Sequence, residues 1–220
     1  MLKAVLFDMD GVIVDSEPLH HRAYQKMFQE FDLDVSKEFY ASFTGKATLP
    51  ICKEICETFK LKVSPEILVA SKRKHFIPLF EHDTDFSLLD GVLELIQNYH
   101  ENGLNLVLAS SASMENINRI FKRFDLDPYF TAKLSGADLK ASKPHPEIFI
   151  KAAQASGFSR SECLVIEDST NGITAAKAAG IYCIGYDSKH SKNQDYSQAD
   201  LVIQDFNKVK YSKISREFLT

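Results

Sequence analysis

The N-terminal stretch Lys3-Ala-Val-Leu-Phe-Asp-Met-Asp-Gly-Val12 constrains this chain more than any other. Ala4, Val5, Leu6 and Phe7 are contiguous apolar residues, the pattern of a parallel strand buried on both faces. The strand runs into Asp8 and Asp10, with Gly11 behind them. Carboxylates two residues apart at the end of a buried strand are costly to hold together unless a cation sits between them. Hard oxygen donors at that spacing suit Mg²⁺. A solvated acidic turn is the alternative for an Asp-x-Asp taken alone.

From Ser16 to about Asp85 the pattern is helical throughout. Asp15 and Ser16 offer a hinge and an N-cap, and Glu17-Pro18 suits a first helical turn. Leu19, Ala23, Met27 and Phe31 recur every four residues, as do Ile51, Ile55 and Phe59. Thr44-Gly45-Lys46 breaks two helices apart, and Ser64-Pro65 opens a further one that carries Lys72-Arg-Lys74. Beyond this module strands and helices alternate. Leu104–Ser110, Cys163–Ile166, Ile181–Ile184 and Leu201–Ile203 read as strands, and Asn102-Gly103, Gly157 and Gly180 stop the helices. The expected fold is α/β: a Rossmann-like, doubly wound parallel sheet with its site at the strands' carboxyl ends and an inserted all-helical cap. The core would comprise residues 1–15 and 86–220, and the cap residues 16–85.

Composition narrows the function. The net charge is −4, with no basic block long enough to track a nucleic-acid backbone. No apolar run approaches the ~18 residues of a membrane span, and no signal-peptide pattern precedes the first strand. The four cysteines form no Cys-x-x-Cys pair and no cluster with histidine, so reduced, structural thiols are expected. These features predict a cytoplasmic protein that acts on a small molecule, with neither nucleic acid nor membrane as partner; a monomer is expected, although oligomeric state leaves no clear mark in the sequence.

Polar groups recur at the strand ends: Asp8 and Asp10, then Ser110, then Lys143 in a Pro-bounded loop, then Glu167 and Asp168. Glu167-Asp168 follows Leu-Val-Ile directly and so repeats the buried strand and acid pair of the N-terminus. Parallel strands that bring these groups to one edge would join carboxylates for a metal with one hydroxyl and one ammonium. That set fits phosphoryl transfer, where catalysis is largely positioning and charge neutralisation.

Asp-Met-Asp-Gly-Val at 8–12, Ser110, Lys143-Pro144 and Glu167-Asp168-Ser169 together resemble the four motifs of the haloacid dehalogenase superfamily, in order and over essentially the whole chain. Within it the chain is most similar to the β-phosphoglucomutase-like group of capped phosphatases and mutases. The resemblance implies that Asp8 is the nucleophile, forming an aspartyl-phosphate, and that Asp10 is the acid and base. It implies Mg²⁺ on the Asp8 carboxylate, the Asp10 backbone carbonyl and Asp168, with Glu167 in support, and Ser110 and Lys143 on phosphoryl oxygens. A dehalogenase is disfavoured, because such relatives typically lack the second acid.

In the cap, His20 matches a histidine that assists the acid/base aspartate, and Lys74 matches a lysine that contacts the sugar. Lys72 reads as part of a solvated basic face. Where the mutase pattern carries an arginine for the second phosphate this chain has Thr48, and Lys46 could replace it only as a point charge. Ser111 opens a loop longer than its mutase counterpart. The expected function is therefore Mg²⁺-dependent hydrolysis of a sugar phosphate, with β-phosphoglucomutase as the alternative and a non-catalytic phosphosugar- or metal-binding protein as the reading from a different class.

Overall fold

The computed structural model describes residues 1–43, 46–188 and 193–218. Six parallel strands, β1 (Ala4–Phe7), β2 (Asn105–Ser110), β3 (Phe130–Ser135), β4 (Cys163–Glu167), β5 (Tyr182–Tyr186) and β6 (Leu201–Ile203), form one sheet in the order β3-β2-β1-β4-β5-β6. The chain winds outward from β1 through β2 to β3, then returns to the other side of β1 at β4. That reversal creates a crevice at the carboxyl ends of β1 and β4, where α/β sheets bind ligands.

Alternation along β1 explains its unbroken apolar sequence. Val5 and Phe7 enter a core shared with helices α5 (Val92–Glu101) and α6 (Met114–Arg123). Ala4 and Leu6 enter the opposite core, under α7 (Glu147–Ser156) and α8 (Thr170–Ala178). The short α9 (Tyr211–Ile214) adds Ile214 to the first of these layers. The helix stops fall where glycine chemistry places them: Gly157 caps α7 in the left-handed conformation at φ 78°.

The inserted cap consists of α1 (Glu17–Glu30), α2 (Lys37–Ala41), α3 (Thr48–Thr58) and α4 (Pro65–His82). It has its own core, in which Tyr24, Met27 and Phe28 of α1 pack with Ile51, Cys52 and Ile55 of α3 and Leu68 of α4. All four cysteines are free thiols. Of the expected Thr44-Gly45-Lys46 break, Lys46 lies between α2 and α3, while Thr44 and Gly45 fall outside the described residues. Among those residues no helix is long and apolar enough to cross a membrane.

One strand is absent from the sequence reading. β3 is an edge strand with Thr131 and Lys133 in its middle, so it lacks the continuous apolar run that marks β1 and β4.

The cap returns to the core through a segment that one arginine organises. Arg123, at the end of α6, donates to the carbonyls of Phe80 (2.7 Å), Asp83 (2.5 Å) and Phe86 (3.3 Å). Its guanidinium also lies over the rings of Phe80, Phe86 and Phe124. Arg22 of α1 pairs with Asp83 in the same segment. Replacing Arg123 with Met would strip three carbonyls of their donor while keeping an apolar stem against the rings. The expected loss is about 2–4 kcal/mol of unfolding free energy, read from urea denaturation. An unchanged urea midpoint would show that this clamp carries no net stability.

Candidate active site

The strand ends converge as the motif order predicts. Asp8 follows β1, and its backbone N–H extends the ladder by donating to Ile166 of β4 at 3.0 Å. Glu167 closes β4 and Asp168 follows it. One carboxylate oxygen from each of Asp8, Glu167 and Asp168 lies within 4.8 Å of the others, and all three residues are buried. Lys143 arrives from the loop after β3. Its Nζ donates to Asp8 Oδ1 (2.5 Å), Glu167 Oε1 (2.7 Å) and the Ala109 carbonyl (3.0 Å).

Two glycines make this packing possible. Gly11 has φ 88°, and a Cβ there would lie 2.0 Å from Asp168 Oδ2. A Cβ on Gly172 would lie 1.7 Å from Glu167 Oε1. Glu167 is further fixed through Oε2, which accepts from the backbone N–H (2.9 Å) and hydroxyl (3.0 Å) of Ser169. Ser169 Oγ in turn caps α8 by accepting from the Gly172 N–H. The Glu-Asp-Ser sequence is thus both an acid pair and a helix start.

Three carboxylates against one ammonium leave this buried cluster with a net negative charge. Burial pushes the Asp8 carboxyl up to about 7; Lys143 opposes the rise, and Glu167 and Asp10 add to it. Burial alone would lower Lys143, but the Asp8 and Glu167 carboxylates outweigh it and raise the ammonium above its ordinary value. A hard divalent cation fits the donor set: all-oxygen, anionic and inside a cage closed by glycines.

The Asp10 carboxylate is not among the three that cluster. It faces the cap, accepting from Ser16 Oγ, with His20 Nε2 3.7 Å away. Asp10 stands beyond the end of β1, in a tight turn where Gly11 N–H donates to the Val14 carbonyl at 2.7 Å, so strand alternation no longer governs its direction. Burial would raise the Asp10 carboxyl, but His20, Ser16 and Lys72 outweigh it and hold the group low.

Lys72 is also unlike its sequence reading. It is only 4% exposed, its Nζ lies 2.7 Å from His20 Nδ1, and it sits over the rings of Tyr24 and Phe76. Burial lowers this ammonium to about 8. An ammonium only donates, so His20 Nδ1 accepts and Nε2 carries the proton that faces Asp10. Burial and Lys72 depress the imidazole, which keeps it neutral. Lys74, expected to reach the substrate, is exposed and lies outside the cavity wall. The helical phase of α4 explains the exchange, because Leu68, Lys72, Phe76 and Phe80 form its inward stripe.

Core and cap together enclose a cavity of about 420 Å³. Asp8, Asp10, Lys143, Glu167 and Asp168 line it from the core, with His20, Lys46 and Lys72 from the cap. Ser111 lines it too. Ser110 does not; it is fully buried, and its Oγ accepts from the Ala112 N–H at 3.0 Å, leaving its own proton as the donor it could offer. Lys46 is paired with Glu54 at 2.9 Å. Glu17 and Tyr40 line the cavity as well, and neither carries a motif or spacing that singles it out in the sequence. In the sequence Glu17 suits a first helical turn and nothing more.

The chain belongs to the haloacid dehalogenase-like hydrolase family, whose pattern matches residues 5–186. It is 31% identical to a phosphorylated carbohydrates phosphatase of Thermotoga maritima over 201 residues, covering 87% of this chain and 88% of that protein. It is 28% identical to the β-phosphoglucomutase of Bacillus subtilis, covering 92% of this chain and 89% of the relative. The crystal structure of a β-phosphoglucomutase from Clostridium difficile superposes with a TM-score of 0.86 at 25% identity, over 99% of this chain and 97% of the other. The protein is an enzyme of the phosphatase and phosphomutase kind.

Proposed function

We propose that the protein is a Mg²⁺-dependent phosphatase of small phosphorylated metabolites, foremost a sugar monophosphate, working through an aspartyl-phosphate on Asp8. The observation that carries this reading is the division of labour between two neighbouring acids. Asp8 sits in the cation-binding cluster against Lys143, whereas Asp10 faces the cap against Ser16 and His20.

Asp8 would attack phosphorus with one carboxylate oxygen while the bond from phosphorus to the ester oxygen breaks. Asp10 would give its proton to that leaving oxygen; a phosphate dianion close by favours the protonated acid that this step needs. Water then attacks the phosphorus, Asp10 takes its proton, and the bond to Asp8 breaks. Lys143 and Ser110 would hold phosphoryl oxygens, with Ser111 on the adjoining wall. Mg²⁺ would be held by Asp8, Asp168 and the Asp10 carbonyl, with Glu167 in support, and would neutralise phosphoryl charge. Lys72 would fix the His20 tautomer so that its Nε2–H faces Asp10. Residues 1–15 and 86–220 would form the catalytic body on which the cap, residues 16–85, closes.

A mutase must also grip a second phosphate while its bisphosphate intermediate turns over. Thr48 stands where the mutase pattern has arginine, and the ammonium of Lys46 is already paired with Glu54. Hydrolysis is the simpler outcome.

The deciding experiment supplies Mg²⁺, β-glucose 1-phosphate and a trace of β-glucose 1,6-bisphosphate, and follows free phosphate and glucose 6-phosphate together. Free phosphate without isomerisation is expected. Glucose 6-phosphate forming faster than free phosphate would replace the phosphatase with a mutase. Failure to release phosphate from p-nitrophenyl phosphate as well would overturn both.

A further inference from the structure

The cavity holds a carboxylate that phosphoryl transfer itself does not need. Glu17 is the first residue of α1 and directly follows Ser16, whose hydroxyl is bonded to Asp10. His20 stands three residues further on, on the same side of the helix. Glu17 therefore borders the side of the cavity into which the leaving group must project. Its Oε1 accepts from Tyr40 Oη at 2.9 Å, which orients the group, and its Oε2 has no hydrogen-bond donor among the described residues. Glu17 is exposed and lines the cavity.

Building on the phosphatase reading of this same cavity, we propose that Glu17, oriented by Tyr40, determines specificity by accepting hydrogen bonds from hydroxyls of the leaving group, so that the non-reacting end of the substrate is an uncharged polyol.

An ionised carboxylate is an acceptor only, and it suits donors presented by neighbouring hydroxyls on a sugar or sugar alcohol. It repels a second phosphate at the same place. Three of the cations on the wall are engaged elsewhere. Lys46 is paired with Glu54 at 2.9 Å and Arg119 with Glu115 at 2.7 Å, while Lys72 is occupied by His20 and two aromatic rings. Arg73, exposed on the wall, remains to attract the single phosphate as it enters. Tyr24, Tyr40, Phe43 and Phe76 give the cap side an aromatic lining of the kind on which sugar C–H faces pack.

Glu17 also stands at a helix N-terminus, where an acid is favourable in its own right, and its bond to Tyr40 ties α2 to α1. A purely structural role would lower activity on every substrate alike. The test therefore compares esters of equal chain length with and without hydroxyls. Wild type, Glu17→Gln, Glu17→Ala and Tyr40→Phe are assayed on sorbitol 6-phosphate, glucose 6-phosphate, n-hexyl phosphate and fructose 1,6-bisphosphate, with melting temperatures recorded for each variant.

Wild type is expected to prefer the hydroxylated monophosphates to n-hexyl phosphate. Glu17→Ala is expected to reduce that preference, as a ratio of kcat/KM values, by about 30-fold, chiefly through KM. Glu17→Gln and Tyr40→Phe should fall between wild type and Glu17→Ala. An equal loss on sorbitol 6-phosphate and n-hexyl phosphate would overturn the assignment and leave the phosphatase reading standing. So would a wild-type preference for the bisphosphate. Absence of phosphate release from every ester would overturn the phosphatase reading, and the role of Glu17 with it.

Discussion

Asp8→Asn is expected to lower turnover by at least about 10⁴-fold while leaving the fold intact. The amide keeps the volume of the carboxylate and an oxygen that can still accept from Lys143, so the strand end need not rearrange. It loses the nucleophile and one anionic ligand of the cluster. The stability of the metal-free protein provides an independent reading of the same residue. The Asp8 carboxyl moves from 3.8 to about 7 on folding, so between those values the native state binds more protons than the unfolded one. Stability of metal-free wild type should therefore fall as pH rises through that window, and Asp8→Asn should lack this slope. Mg²⁺ should restore wild-type stability by about 2.7 kcal/mol at a hundredfold excess over its dissociation constant, and should help Asp8→Asn less. Melting temperatures in EDTA and in Mg²⁺, set beside phosphate release, check all three. Undiminished turnover in Asp8→Asn would remove the nucleophile from the scheme.

What the sequence revealed follows from burial. β1 and β4 are covered on both faces, so their apolar runs are unbroken and the acids that end them stand out. β3 has one neighbour and keeps Thr131 and Lys133, and its pattern dissolves into the flanking turns. The core motifs were legible because each polar group terminates an apolar strand or occupies a Pro-bounded loop. The direction of a side chain past a strand end was not: two acids two residues apart suggest a shared cation, and the contact of the Asp10 carboxylate with Ser16 shows only in the structure. The cap posed a question of helical phase. Lys72-Arg-Lys74 has no phase of its own, and its reading as a solvated face fails because Leu68, Phe76 and Phe80, apolar at four-residue intervals around Lys72, set the phase that turns it inward. Glu17 gave no comparable signal, because an acid in a first helical turn is ordinary for local reasons.

Lys72→Met should separate activity from stability, lowering kcat/KM by about 100-fold while raising the melting temperature by about 5 °C. Methionine retains the unbranched stem and its packing against Tyr24 and Phe76, but it cannot donate to His20 Nδ1. The imidazole then loses the interaction that places its proton on Nε2 toward Asp10. The stability sign follows from burial. The Lys72 ammonium drops from 10.5 in the unfolded chain to about 8 in the native state, chiefly through desolvation. Between those values the unfolded state binds more protons, so wild-type stability should rise with pH across the window, and below about 8 the cost of burying the charge is fully present. Removing the charge at pH 7 should recover about 2–3 kcal/mol of that cost. The same titration should appear in catalysis as a decline of wild-type kcat/KM above pH of about 8, absent from Lys72→Met. A variant that is both less stable and less active would show that the charge holds the cap together. A stable variant with full activity and an unchanged alkaline limb would show that the His20 tautomer does not depend on it.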